Sequence, residues 1–86
     1  MLIKEILLIN QGGLHARPAT FFVQLCSTFQ SDIKVMLDGK QANAKSVISI
    51  MTLGAGKGKT ITLAIEGADE ASALEKITEY FSNLVQ

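Results

Sequence analysis

Apolar and polar residues alternate in three short stretches of the chain, and a period of two is typical of a half-buried β-strand. The predicted inward positions are Ile6, Leu8, Ile33, Val35, Leu37, Ile61, Leu63 and Ile65. The Asp38-Gly39 pair after the second stretch predicts a hairpin turn, which leads into a further strand over residues 41–44. The pattern therefore predicts four strands, of which the middle two pair antiparallel.

Other stretches have the period of an amphipathic helix. One begins after His15 with the apolar stripe Ala16, Ala19, Phe22, Val23, Cys26 and Phe29, and one near the C-terminus has Ala73, Leu74, Ile77, Phe81 and Leu84. Asp69 is the predicted N-cap of the latter, and Ser46 that of a short helix ending at about Leu53. The order βαββαβα predicts a single α+β domain over residues 1–86, with an antiparallel sheet and helices on one face.

Two apolar residues of the first strand do not fit a one-sided sheet. Leu7 and Ile9 alternate with the inward residues and therefore point to the uncovered face. Scattered apolar surface on a small protein is the simpler interpretation, and a self-association patch is the alternative.

Charge balance and cysteine count exclude several classes of protein. Eight basic residues balance eight acidic ones, so no broad surface for nucleic acid or anionic lipid is predicted. Cys26 is the only cysteine, which excludes an internal disulfide, and no pair of cysteines or histidines is present to bind a metal. The N-terminus lacks a signal-peptide pattern and the apolar runs are short, so we expect a cytoplasmic protein without membrane insertion, metal or cofactor.

The only histidine, arginine and proline of the chain lie within four positions, as His15, Arg17 and Pro18. Free amides of Ala16 and Arg17 at the helix N-terminus predict a small anion site beside the imidazole, and the Arg17 guanidinium suits phosphate oxygens. The positive helix end disfavours the imidazolium form, so a nitrogen lone pair is available to capture a phosphoryl group. The alternative is that His15 is an ordinary helix cap and Arg17 a solvated charge.

The segment Gly13-Leu14-His15-Ala16-Arg17-Pro18-Ala19 resembles the active-site signature of HPr, the histidine-containing phosphocarrier of the bacterial sugar phosphotransferase system. Ala44-Lys45-Ser46 followed by Met51-Thr52-Leu53-Gly54 resembles the second signature of that family. The resemblance implies an open-faced β-sandwich of four strands and three helices. It also implies that His15 accepts phosphate on Nδ1 from enzyme I and passes it to the IIA domain of a sugar permease, with Arg17 stabilising the phosphorylated state.

A carrier of this kind must dock two partners, and we expect it to do so as a monomer. Thr20, Phe21 and Gln24 fall on the same side of the first helix as Arg17, away from its apolar stripe. In the short helix, Val47, Ile48 and Met51 lie off the predicted inward side. These six residues form the predicted docking surface: Thr20, Phe21, Gln24, Val47, Ile48 and Met51.

Ser46 allows two interpretations. It is either a helix N-cap alone or, as the resemblance to HPr of many Gram-positive bacteria implies, a residue phosphorylated by HPr kinase/phosphorylase. The next residues, Val47-Ile48-Ser49, depart from the isoleucine, methionine and glycine usual in those regulated members. Binding of a catabolite-repression transcription factor is therefore not predicted.

Three functions remain open on these grounds. The first is the phosphocarrier of the sugar system, and the second is a related carrier of a regulatory, nitrogen-linked branch. The third is a non-catalytic binding module with the same fold, which the presence of both His15 and Arg17 disfavours.

Overall fold

One four-stranded antiparallel sheet organises the chain in the computed structural model, which describes residues 1–10 and 12–84. The strands are β1 (Leu2–Leu7), β2 (Asp32–Leu37), β3 (Lys40–Asn43) and β4 (Thr60–Glu66), and the helices are α1 (Ala16–Cys26), α2 (Val47–Leu53) and α3 (Glu70–Ser82). The strands lie side by side in the order β1-β4-β2-β3, so β1 and β3 are the edges. The predicted element order βαββαβα is confirmed.

The strand registers place the predicted inward residues next to one another on one face of the sheet. Ile6 pairs with Ile61 across β1 and β4, and Ile65 of β4 pairs with Ile33 of β2. All four of these isoleucines are buried. The helices cover that face and leave the other open, so the open-faced sandwich that the sequence predicts is confirmed.

The helices contribute the other half of the core through the predicted stripes. Phe22 of α1 is fully buried, and its ring lies 5.5 Å from that of Phe81 in α3 and 6.2 Å from that of Tyr80. From α2, Ile50 and Leu53 turn inward, as expected for the short helix. Aromatic contacts of this kind fix the angle between α1 and α3 because the rings pack at defined orientations.

Three residues of the predicted helical stripes lie elsewhere. Ala16 is exposed rather than buried, because the chain enters α1 with a backbone turn at this residue. Phe29 is half-buried but follows the end of α1 at Cys26, and Leu84 is half-buried beyond the end of α3 at Ser82. Both side chains still pack against the core, which explains why the apolar pattern extends past the helices.

The open face of the sheet has apolar residues at the edge strand β1, as the alternation predicts. Ile3, Leu7 and Ile9 are exposed there. The predicted outward direction of Leu7 and Ile9 is therefore confirmed. No helix among the described residues is long and apolar enough to span a bilayer.

Asp69 occupies the N-cap position of α3, as predicted, but its side chain makes no capping hydrogen bond. Asp69 precedes the helix, but its carboxylate accepts hydrogen bonds from the amides of Gln30 (2.8 Å) and Ser31 (2.9 Å) and from the Ser31 hydroxyl. The loop after α1 brings two unpaired amides to this carboxylate, and charge-assisted bonds to them outweigh a local cap. At the start of α3, the Glu70 carboxylate accepts a hydrogen bond from the Gly67 amide at 3.1 Å.

The Asp69 contacts predict acid-sensitive stability. The Ser31 hydroxyl, followed by the Gln30 amide, lowers the pKa of Asp69 from its ordinary value. The resulting stability is present above the pKa of the unfolded chain and is lost as pH falls through the lower pKa of the folded chain. We expect the free energy of unfolding to decrease below about pH 4 in the wild type, and to decrease less in Asp69→Asn, as measured by urea denaturation.

The matched control is Glu79→Gln, which removes an equal charge from an exposed position on α3 that has no ion pair among the described residues. Its acid dependence should follow that of the wild type. Equal flattening in both variants would show that general charge repulsion, rather than the Asp69 bonds, causes the acid sensitivity.

Candidate functional site

His15 occupies the N-cap position of α1, where the sequence predicts it. Its backbone is extended (φ −118°, ψ 156°), its side chain is exposed, and the imidazole makes no capping hydrogen bond. The ring is therefore not used as a structural cap. An exposed imidazole that has no hydrogen-bond partner in residues 1–10 and 12–84 is available to react with a group brought by another molecule.

The loop before His15 rests directly on the backbone of the segment that follows α2. The amide of Leu14 donates to the carbonyl of Ala55 at 2.8 Å, and both residues are fully buried. Gly13 has a φ of +55°, and a Cβ there would collide with the Ala55 carbonyl oxygen and lie 2.7 Å from the Gly56 Cα. Only glycine allows this close approach, which fixes the point where the chain turns into α1.

Ala16 enters α1 through a left-handed backbone conformation, with a φ of +48°. A residue before proline avoids helical dihedrals, which predicts a distortion at Arg17, but the left-handed residue is Ala16, one position earlier. For a residue with a Cβ such a conformation costs about 1–2 kcal/mol. Strain of this size persists only where the surrounding contacts determine the backbone, and it is common at functional sites.

The amides of Ala16 and Arg17 follow His15 and are free for an anion. Within residues 1–10 and 12–84, neither amide donates to a protein acceptor. A left-handed residue followed by a helical one points successive N–H groups toward one concavity, which favours anions. The exposed Arg17 guanidinium belongs to the same turn. His15, Ala16 and Arg17 therefore form a surface site suited to a phosphoryl group.

The predicted docking surface is exposed at five of its six residues. Thr20, Phe21 and Gln24 of α1 are exposed, and the Thr20 hydroxyl donates to the Ala16 carbonyl at 3.2 Å. In α2, Ile48 and Met51 are exposed, and Val47 is half-buried. The large apolar side chains are notable, since Phe21 is 52% exposed and Ile48 is 79% exposed.

Ser46 is the N-cap of α2, as predicted. Its side-chain oxygen accepts from the Ser49 amide at 3.3 Å, and the residue is half-buried. The preceding Lys45 extends to the end of the α1 loop, where its ammonium donates to the Phe29 carbonyl at 2.8 Å. The two contacts fix the start of α2 relative to α1.

Sequence reasoning missed two side chains that hold the backbone around the site. The side-chain amide of Asn10 donates to the Gly13 carbonyl at 2.8 Å, and the Tyr80 hydroxyl donates to the Pro18 carbonyl at 2.9 Å. Tyr80 lies 62 positions from Pro18, so no local pattern predicts that pair. For Asn10 a signal existed, because asparagine before a glycine pair is typical of a turn that uses the side chain.

The only thiol of the chain, that of Cys26, is not part of this site. Cys26 is buried, and burial raises the pKa of its thiol to about 12. It is the inert core thiol that its place in the α1 stripe predicts. Among the described residues, no group of three histidine, cysteine or acidic side chains is arranged to hold a metal ion.

Comparison with known families identifies the class of protein. Residues 3–83 match the family described as PTS HPr component, phosphorylation site. The chain therefore belongs to the HPr family of phosphocarrier proteins of the phosphotransferase system.

Solved structures of this family resemble the chain over nearly its whole length. HPr of Thermoanaerobacter tengcongensis is 41% identical with a TM-score of 0.95, and the alignment covers 99% of this chain and 96% of that one. Phosphocarrier protein HPr of Bacillus anthracis is 42% identical with a TM-score of 0.89, over 93% and 95%. Crh, a catabolite repression protein of Bacillus subtilis described as a swapped dimer, is 40% identical with a TM-score of 0.76, over 100% and 99%.

The contact between Gly13 and the Ala55-Gly56 backbone predicts that Gly13→Ala is strongly destabilising. The new Cβ meets backbone atoms that cannot move independently, and the positive φ adds strain. We expect the free energy of unfolding to fall by about 2 kcal/mol or more, as measured by urea denaturation.

Gly12→Ala provides the control for that substitution. A Cβ on Gly12 approaches nothing closer than the Pro18 ring carbon at 4.0 Å. Its effect should stay within about 1 kcal/mol. Equal losses in the two variants would contradict a specific role for the Gly13 contact.

Proposed function

We propose that this chain is the phosphocarrier of a sugar phosphotransferase system, with His15 as the phosphoryl acceptor. Enzyme I is the proposed donor, and the IIA domain of a sugar permease is the proposed recipient. The observation that carries the proposal is the exposed, uncapped imidazole of His15 beside the two free amides of Ala16 and Arg17.

The proposed transfer uses a ring nitrogen of His15 as nucleophile. Its lone pair forms a bond to phosphorus while the bond from phosphorus to the donor breaks, and the resemblance to HPr assigns the atom as Nδ1. The amides of Ala16 and Arg17 can then donate to the phosphoryl oxygens, and the Arg17 guanidinium adds a fixed positive charge. Because the site is on the surface, the next acceptor can reach the phosphorus without a conformational change.

The six-residue docking surface supports exchange between partners. Exposed apolar side chains such as Phe21, Ile48 and Met51 favour contact with a partner, and the flexible methionine adapts to different surfaces. A carrier must also leave each partner quickly, so a small apolar contact is an advantage over a large one.

Incubation with enzyme I and phosphoenolpyruvate tests the assignment of His15. We expect one added phosphoryl group by mass spectrometry, labile in acid and stable in base, and none in His15→Gln, whose amide keeps a polar side chain without the nucleophile. Arg17→Ala should lower the initial rate about tenfold, because it removes a charge that stabilises the phosphorylated state.

Lys76→Ala is the control, because it removes an equal charge from an exposed position on α3 and should keep the wild-type rate. A folded wild-type chain that receives no phosphate from enzyme I would contradict the proposal. Comparison of sugar-system and nitrogen-system enzyme I as donors separates the two carrier branches, and failure with both favours a non-catalytic binding module.

We also propose that Ser46 is a regulatory phosphorylation site for HPr kinase/phosphorylase. Ser46 is half-buried and is the N-cap of α2, the helix that carries Ile48 and Met51 of the docking surface. A phosphate there would add nearly two negative charges beside these apolar contacts. The similarity to Crh, the catabolite repression protein of Bacillus subtilis, supports a regulatory role.

Incubation with HPr kinase and ATP tests this role. We expect one phosphoryl group on the wild type and none on Ser46→Ala, and the phosphorylated protein should receive phosphate from enzyme I at least about tenfold more slowly, since its new charges repel the acidic donor group. Ser49→Ala, one turn further along α2, should remain a substrate. Label that persists in Ser46→Ala would contradict the assignment.

A further inference from the structure

One peptide group beside the site is held at both of its ends. The Gly13–Leu14 peptide donates its N–H to the Ala55 carbonyl at 2.8 Å, and its carbonyl oxygen accepts from the side-chain amide of Asn10, also at 2.8 Å. A peptide next to glycine rotates easily when free, because glycine adopts positive and negative φ with similar ease. Here rotation would break two hydrogen bonds at once.

Asn10 is built into the fold rather than lying on its surface. The residue is 2% exposed, and its backbone carbonyl accepts from the Gly13 amide at 3.2 Å, so it contacts Gly13 with both main chain and side chain. A carbonyl acceptor requires a donor, which assigns the side-chain NH2 group to the bond with Gly13. Among the described residues, Asn10 and Ser31 are the only buried polar residues. Ser31 donates to the Asp69 carboxylate, far from His15. Asn10 is therefore the one whose side chain bonds to the loop that precedes His15.

The strained backbone of Ala16 explains why such a tie is needed. Its φ of +48° is costly and is kept only if the chain is fixed on both sides. On the helix side, Thr20 donates to the Ala16 carbonyl. On the loop side, the Gly13–Leu14 peptide is held at both of its ends, and the His15 amide that follows it donates to the Gly12 carbonyl at 3.2 Å. His15 lies between these two fixed points.

We propose that Asn10 is a positioning residue for His15. By fixing the Gly13–Leu14 peptide, it holds the imidazole and the amides of Ala16 and Arg17 in the arrangement that accepts the phosphoryl group. Asn10 touches neither the phosphoryl group nor a partner. The inference rests on the proposed carrier function, because positioning is measured by transfer to His15.

Two substitutions remove the donor in different ways. Asn10→Asp keeps the shape but replaces the NH2 group with an oxygen that repels the Gly13 carbonyl, and Asn10→Ala removes the whole side-chain contact. Ser31→Ala is the matched control, because it also deletes a buried polar side-chain contact. It lies beyond the far end of α1, about 16 Å of helix away from His15.

Steady-state transfer from enzyme I separates positioning from general stability. With either Asn10 variant as the substrate, we expect the kcat of enzyme I to fall about tenfold. The KM of enzyme I for the variant should stay nearly unchanged, because the docking surface is intact while the reacting nitrogen is misplaced. Ser31→Ala should keep the wild-type kcat even if its free energy of unfolding falls as much. All rates are compared at a temperature where circular dichroism shows each variant to be folded.

Chemical phosphorylation with phosphoramidate provides a readout that needs no enzyme I. We expect the phosphohistidine of Asn10→Asp to hydrolyse severalfold faster than that of the wild type, because displaced amides stabilise it less. The backbone amide signals of Ala16 and Arg17 in NMR spectra should also shift less on phosphorylation in this variant.

The outcomes distinguish the two proposals. A wild type that enzyme I does not phosphorylate contradicts the carrier function, whereas the hydrolysis rates and NMR shifts still report on Asn10. Wild-type kcat, phosphohistidine lifetime and amide shifts in the folded Asn10→Asp variant would overturn the positioning role and leave Asn10 a purely structural residue. Failure of Asn10→Ala to fold would leave Asn10→Asp to decide.

Discussion

The close backbone contact between Gly13-Leu14 and Ala55-Gly56 is the constraint on which the site depends. It joins the loop after β1 to the loop after α2, and thereby sets the residue at which α1 can begin. A side chain on Gly13 would separate the two loops and move the helix start. The strained conformation at Ala16 and the outward direction of His15 both follow from this one junction, because the chain has few residues in which to turn from the sheet into the helix.

The rest of the fold serves as a rigid support for that helix end. The isoleucines of the sheet and the rings of Phe22 and Phe81 between α1 and α3 are buried, whereas His15, the proposed phosphoryl acceptor, lies at the surface. A carrier has to present its phosphoryl group to two different proteins, so a deep pocket would hinder it. The hydrophobic core and the proposed phosphoryl site therefore lie in separate parts of the molecule, the core between sheet and helices and the site at one exposed turn.

The elements and the core of this fold could be predicted from the sequence because they depend on local periodicity. Strand alternation identified residues such as Ile61 and Ile65, and the short helix after Ser46 was recognisable from its cap. Properties that depend on contacts distant in sequence could not be predicted. The Asp69 carboxylate accepts from amides 38 and 39 positions away rather than from the first turn of α3, and the exposure of Ala16 follows from the packing of a loop 40 residues further on. The place of His15 at the helix start was predictable, whereas the backbone strain beside it was not.

Burial of the Cys26 thiol determines how this side chain reacts with oxidants. A sulfur whose pKa is raised to about 12 is almost never ionised at neutral pH, and oxidants such as peroxide react with the thiolate. The single cysteine of the chain is thus protected from sulfenic acid formation and from mixed disulfides. The phosphoryl transfer proposed for His15 is therefore not coupled to oxidation of this thiol.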